Sequence, residues 1–127
     1  TSISSDGGIP EPGEGVPPPR NYGAFARVLG HYVRDSQVLT LEEAIRKMTS
    51  LPASRLNLAN RGLLQTGMVA DLALFDPDTI TDTARFSDPH HYAEGVNYVI
   101  VAGELILDNG LLTGIRPGKA LRHSRIK

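Results

Sequence analysis

Asn109-Gly110 lies between the β-rich runs ELILD (104–108) and LLTG (111–114), and it constrains the chain more than any other feature. Both residues tolerate positive φ, so the pair predicts a two-residue hairpin joining antiparallel strands. Upstream, NYVIV (97–101) meets ELILD across a second turn at Ala102-Gly103. Met68 to Phe75 (MVADLALF) has strand character and is closed by the turn residues Asp76-Pro77-Asp78, although its Leu and Ala content also suits a buried helix. Residues 79–95 read as irregular and polar. The second half therefore predicts a small antiparallel sheet of roughly four strands.

The first half has a different period. Asn21 is placed to cap a helix, and Tyr22, Phe25, Val28, Leu29, Tyr32 and Val33 recur at steps of three and four, which predicts one buried helical face. Thr40 and Glu43 form a Thr-x-x-Glu capping box ahead of the stripe Leu41, Ala44, Ile45 and Met48. Pro52 is expected to end or kink that helix, with one further turn over Ala53 to Leu58. Before all of this, residues 7–20 (GGIPEPGEGVPPPR) hold nine of the chain's 22 glycines and prolines, so they read as a long loop. No internal repeat is visible.

Several classes of function are excluded at this level. An apolar fraction of 40% argues against wholesale disorder, and no apolar run approaches the ~20 residues needed to span a bilayer. A membrane partner is therefore not expected. There is no initiator Met, basic n-region or signal-peptide core, and no cysteine, so disulfides and thiolate metal ligands within these residues are excluded. A cytoplasmic, reducing location is the expectation. Residues 116–127 carry five Lys/Arg and no acid, while the other 8 basic and all 14 acidic groups leave residues 1–115 at −6. Such a tail is most simply solvated. With 6% aromatic residues and no Trp, no nucleic-acid partner is expected.

A sheet this small and two amphipathic helices each need a covering partner. They could cover one another as a small α+β domain, or both could be parts of a larger body. At this point the residues carry a resemblance. Ser5-Asp6-Gly7-Gly8, Pro19-Arg20-Asn21-Tyr22-Gly23 and the Arg27–Arg34 segment resemble the N-acyl-D-amino-acid deacylases (D-aminoacylases) of the amidohydrolase superfamily. So do LTLEEAIRKMTSLPASRL, the long stretch from RGLLQTGMVADLALFDP to VIVAGELILDNG, and TGIRPGKALR. The likeness runs from about residue 3 to residue 122.

This resemblance implies the carboxy-terminal part of a longer α/β enzyme, a metal-dependent (β/α)8 barrel with a small β-sandwich built from both chain ends. Residues 1–62 would be the end of the barrel, mostly helices here, with Ile3 to Asp6 ending its eighth strand. Residues 63–127 would supply sandwich strands and the basic tail. The implied activity is hydrolysis of N-acyl-D-amino acids to a carboxylate and a D-amino acid by zinc-activated water. The zinc ligands, histidines and a cysteine, would lie upstream in the missing amino-terminal part. These residues alone would then be inactive, would bind no zinc, and would self-associate through barrel-facing surfaces.

Asp6 is the sharpest catalytic candidate. Reactive groups of such barrels sit at the carboxy-terminal ends of strands. In the resembling family this aspartate approaches the metal, where it is a potential ligand. It takes a proton from the metal-bound water and passes one to the leaving amine. From spacing alone, Asp-Gly is an ordinary turn. Arg20 resembles the family's substrate-binding group, gripping the free α-carboxylate with two parallel hydrogen bonds. Relatives commonly carry His-Pro before this Arg, where this chain has Pro17-Pro18-Pro19. Without the resemblance, Arg20 is a solvated arginine at a helix start.

His31, His90, His91 and His123 lack metal-ligand spacing and read as structural or solvated. Tyr22, Phe25, Tyr32 and Met48 read as core, Arg61-Gly62 and Thr66-Gly67 as turns, and Asp71 as a hydrogen-bonding residue. A non-catalytic β-rich interaction module is the rival from another class. Another amidohydrolase activity, such as cyclic-amide hydrolysis, is the rival within the superfamily, and PRNYG favours the deacylases over it.

Overall fold

A computed structural model of the protein describes residues 1–121. Arg122, His123, Arg125 and Lys127 of the basic tail lie outside the described residues. The described elements are α1 (Arg20–Arg27), which runs directly into a π-helical segment (Val28–Asp35), then α2 (Leu41–Met48), α3 (Ser50–Arg55) and four strands: β1 (Leu72–Phe75), β2 (Val96–Val101), β3 (Glu104–Asp108) and β4 (Leu111–Leu112). The strands form one antiparallel sheet in the order β1-β2-β3-β4. The expected helix-then-sheet layout is present. No strand lies beside Ile3–Asp6 among the described residues, and the one backbone–backbone bond recorded there runs from Ile3 N–H to the Lys47 carbonyl, 3.1 Å.

Both predicted hairpins form. Asn109 (φ 47°) and Gly110 (φ 80°) adopt the two positive φ values that suit the twist of paired strands. Ala102 (φ 51°) does the same beside Gly103, a costly conformation for alanine. Asp71 and its neighbour hold that turn: Ala102 N–H donates to Asp71 Oδ1 (2.8 Å), and Gly103 N–H donates to the Ala70 carbonyl (3.0 Å). Asp71 is also ion-paired with Arg61. The hydrogen-bonding role expected of Asp71 thus has its partners. β1 is shorter than the run 68–75 predicts, because residues 68–71 turn into these contacts instead of pairing.

The helical expectations need three corrections. Asn21 does not cap α1. Pro19 occupies that position, and Asn21 lies inside the helix with its side chain accepting from Gly8 N–H, 3.1 Å. The buried face holds Gly23, Ala26, Val28, Leu29 and Gly30, while Phe25 and Tyr32 are 45% and 41% exposed. The reason is backbone proximity: a Cβ on Gly30 would sit 2.5 Å from the Ile80 carbonyl oxygen, and one on Gly23 would sit 2.6 Å from Asp82 Cβ. Small residues admit that approach and aromatic rings do not. Third, α2 ends at Thr49 (φ −127°, ψ −86°), not at Pro52, which lies in the first turn of α3, where its missing N–H has no intrahelical acceptor to lose.

The capping box is half formed. Glu43 N–H donates to Thr40 Oγ1 at 3.3 Å, but the Glu43 carboxylate turns away to Arg46 (2.7 and 2.9 Å) and Lys47 (3.6 Å). The Arg46 hydrogen bonds hold the Glu43 carboxyl down to about 2 from its ordinary 4.5.

Ala26, Val28, Leu29, Ala44 and Ile80 form the buried cluster, with Ile3, Met48, Phe75 and Val96 against it. Ile80 is 2% exposed and joins helices to sheet. Its carbonyl accepts from Arg34 Nη1 at 2.7 Å, and Gly95 (φ 83°) backs onto its Cα so closely that a Cβ there would be 2.5 Å away. The core is thin: four of the seven buried apolar side chains are alanines. The chain exposes 9304 Å², against roughly 6,600 Å² for a compact monomer of this mass. Ile9, Leu64, Phe86, Leu111 and Leu112 are among the large apolar side chains left in solvent. Among the described residues, no helix is long and apolar enough to cross a membrane.

Candidate functional site

The loop over residues 7–20 leaves from Asp6 and returns at Arg20, the first residue of α1. Its two ends meet. Arg20 Nε donates to the Asp6 carbonyl at 2.9 Å, and Arg20 Nη2 lies 3.5 Å from Asp6 Oδ2. The two residues singled out in the sequence are therefore neighbours, 14 positions apart in the chain. Asp6 has φ 49°, a conformation aspartate tolerates better than most residues. Its neighbour Gly7 fits closely: a Cβ there would be 3.3 Å from both the Arg20 carbonyl oxygen and Asn21 Cα. Gly7 N–H donates to Ser5 Oγ at 3.2 Å, so Ser5 and Asn21 hold the Asp-Gly-Gly backbone on either side of the bend.

The Asp6 carboxylate is 90% exposed, and the Arg20 side chain is half exposed. Arg20 commits one N–H to the Asp6 carbonyl, and its Nη1 group has no partner among the described residues. A planar guanidinium so placed can take a carboxylate in two parallel hydrogen bonds. A cation at a helix start opposes the helix dipole, and the adjacent Asp6 carboxylate offsets that opposition. An open cleft of about 540 Å³ lies beside Arg20, lined by Ser4, Ser5, Arg27, Asp82, Arg85 and Phe86 with neighbouring residues. Within it Arg27 (3.2 Å) and Arg85 (3.6 Å) both pair with Asp82, and this contact raises the pKa of Arg27 further. Arg27 and Arg85 make these contacts through Nη1 alone, so all three cleft arginines keep open donors among the described residues, and Arg20 is the one that lies against Asp6.

The residues present do not amount to a metal site. Zinc takes at least three protein ligands, and no three His, Asp or Glu side chains converge to hold an ion among the described residues. Asp6 would be one ligand of such a set, with the others absent from the described residues. His31 stacks edge-on against Tyr32, and His91 pairs with Asp88 at 2.7 Å. His90, expected to be structural or solvated, is bound on both ring nitrogens to Tyr22 and to the 7–20 loop. Spacing gave no signal for that contact, which joins residues 68 to 77 positions apart.

The chain is similar to several known proteins. D-aminoacylase of Alcaligenes xylosoxydans xylosoxydans is 46% identical over 121 residues, covering 95% of this chain and 24% of that protein. A D-aminoacylase variant with one aspartate changed to alanine, solved with copper chloride, superposes with a TM-score of 0.82 at 44% identity, over 85% of this chain and 23% of that one. N-acyl-D-glutamate deacylase from Bordetella bronchiseptica, solved with zinc and a phosphonate mimic of the tetrahedral intermediate, superposes at 0.76 with 43% identity, over 83% and 22%. The resemblance to the N-acyl-D-amino-acid deacylases thus extends over nearly all of these residues, which span about a quarter of the relatives' length. Residues 2–107 match the amidohydrolase family over most of their length, and the chain belongs to that family.

Proposed function

We propose that this chain forms the carboxy-terminal part of a zinc-dependent, cytoplasmic N-acyl-D-amino-acid deacylase, which releases a carboxylate and a free D-amino acid. On this reading residues 1–62 complete a (β/α)8 barrel and residues 63–127 contribute to a β-sandwich. The zinc ligands belong to parts of the relatives that this chain does not span. What zinc supplies when bound is an acidified water.

The contributions of this chain are narrower. Asp6 accepts a proton at its exposed carboxylate and returns it to the departing amine nitrogen, which could not leave as an anion. Arg20 holds the substrate α-carboxylate and so orients the scissile amide relative to Asp6. The observation that carries the reading is the hydrogen bond from Arg20 Nε to the Asp6 carbonyl, which fixes the anion-gripping group beside the proton acceptor. Further support comes from the excess exposed surface, which suits a body covered by more of the same enzyme.

The test is an assay of the complete enzyme on three substrates: an N-acyl-D-amino acid, its L-enantiomer, and the matching N-acyl amine without a carboxylate. Preference for the first over both others is expected. Equal turnover of the carboxylate-free amide would reject the Arg20 assignment, and hydrolysis of a cyclic amide in preference to all three would reject the deacylase reading.

A further inference from the structure

The loop that brings Asp6 to Arg20 has no apolar anchor of its own. Its two large apolar residues, Ile9 and Val16, are exposed. Apart from a turn closed by Glu14 N–H on the Glu11 carbonyl, its centre is held, among the described residues, by one side chain, His90. Gly13 N–H lies 3.3 Å from His90 Nδ1, the Tyr22 hydroxyl 2.8 Å from the same nitrogen, and the Gly15 carbonyl 3.1 Å from Nε2.

Donor chemistry fixes the ring's state. A backbone N–H can only donate, so Nδ1 accepts, and a carbonyl can only accept, so Nε2 carries the proton. The Tyr22 hydroxyl then donates to Nδ1 as well. The tautomer with its proton on Nε2 fits all three partners, with the Tyr22 hydroxyl (2.8 Å) and the longer Gly13 N–H contact (3.3 Å) sharing the single Nδ1 lone pair. His90 is itself well held: Pro89 before it is buried, and the Tyr22 ring meets the His90 and Tyr92 rings edge-on at 5.8 and 5.6 Å. Tyr22 lies two residues after Arg20 on α1. The clamp therefore ties the middle of the loop to the same helix start that presents the guanidinium.

We propose that His90, with Tyr22, is a positioning residue for the substrate carboxylate: it clamps the loop at Gly13 and Gly15 and thereby holds Arg20 in its place beside Asp6. This inference rests on the role proposed above for Arg20. Loosening the loop lets the Arg20 guanidinium leave the Asp6 carbonyl, so carboxylate binding weakens while the proton-transfer group itself is untouched.

The experiment uses the complete enzyme with His90→Ala, His90→Asn, Tyr22→Phe, Arg20→Met and the double variant His90→Ala/Arg20→Met. His90→Ala should raise KM for the N-acyl-D-amino acid about fivefold to thirtyfold, the range expected for losing a few neutral hydrogen bonds. KM for the carboxylate-free amide should stay unchanged. Adding His90→Ala to Arg20→Met should do nothing more, since the two act through one contact. His90→Asn, whose Oδ1 replaces Nδ1 as acceptor, should recover part of the loss, and Tyr22→Phe should reproduce part of it. A second readout needs no turnover: a Glu-specific protease should cut between Glu14 and Gly15 faster in His90→Ala than in wild type.

If Arg20→Met raises KM but His90→Ala changes neither KM nor cleavage, the positioning role is overturned and the deacylase reading stands. If Arg20→Met leaves KM unchanged, the role of Arg20 fails and the proposal fails with it. A uniform fall in kcat on both substrates would mark plain loss of folded enzyme and would also overturn it.

Discussion

Replacing Ile80 by alanine should destabilise the helices and the sheet together. Ile80 is 2% exposed and touches both halves of the chain through its side chain, its carbonyl and the close approach of Gly30 and Gly95. Ile80→Ala removes three carbons at about 0.8 kcal/mol each, roughly 2.4 kcal/mol of transfer free energy. The surrounding backbone is pinned, so the site collapses poorly and a cavity term adds to this. Measured Ile→Ala changes span about 2–5 kcal/mol, and about 3–4 kcal/mol is expected here. Hydrogen exchange of backbone amides is the assay. Protection in Val28–Asp35 and in β2 should fall by the same factor, about a hundredfold or more. A fall confined to the sheet, with the helical amides unchanged, would refute the claim that Ile80 joins the two.

Other perturbations have equally definite outcomes. Gly30→Ala should cost about 1–3 kcal/mol, because its new methyl meets the Ile80 backbone and not a flexible side chain; unchanged thermal unfolding would contradict that approach. Thr40→Ala should cost about 1 kcal/mol in urea unfolding, and Thr40→Ser almost nothing, because Thr40 Oγ1 caps α2. The Glu43 carboxyl is held down to about 2, so its contribution is fully present above about 4.5 and is lost as pH falls through about 2. Glu43→Gln should flatten that part of the acid-unfolding curve, and salt should shrink the effect, since the pair is solvent-exposed. An unaltered curve would contradict the Arg46 contact as its source.

The sheet was legible because its signals are local. Asn109-Gly110 and Ala102-Gly103 specify their turns within two residues, and both turns form. The helices were legible as helices but not in which face they bury, because that depends on what approaches them. Gly23 and Gly30 lie inward through contact with residues 80–82, some fifty positions away, and no helical periodicity encodes that distance. For the same reason, the stretch 79–95 reads as polar and irregular yet supplies Ile80, among the most buried side chains. Asp6 and Arg20 were found through family motifs, and their juxtaposition came only with the folded loop. His90 was passed over because its partners, Gly13, Gly15 and Tyr22, carry no mark of their pairing in the sequence.

The central claim is that Asp6 carries the proton in amide hydrolysis, and Asp6→Asn in the complete, metal-loaded enzyme tests it most directly. The substitution keeps the size and the exposed position of the side chain, so folding and zinc content should stay as in wild type. Turnover of an N-acyl-D-amino acid should fall about a hundredfold to ten-thousandfold, the loss typical of removing a general acid–base group. Turnover within a few-fold of wild type, with zinc still bound, would contradict the account.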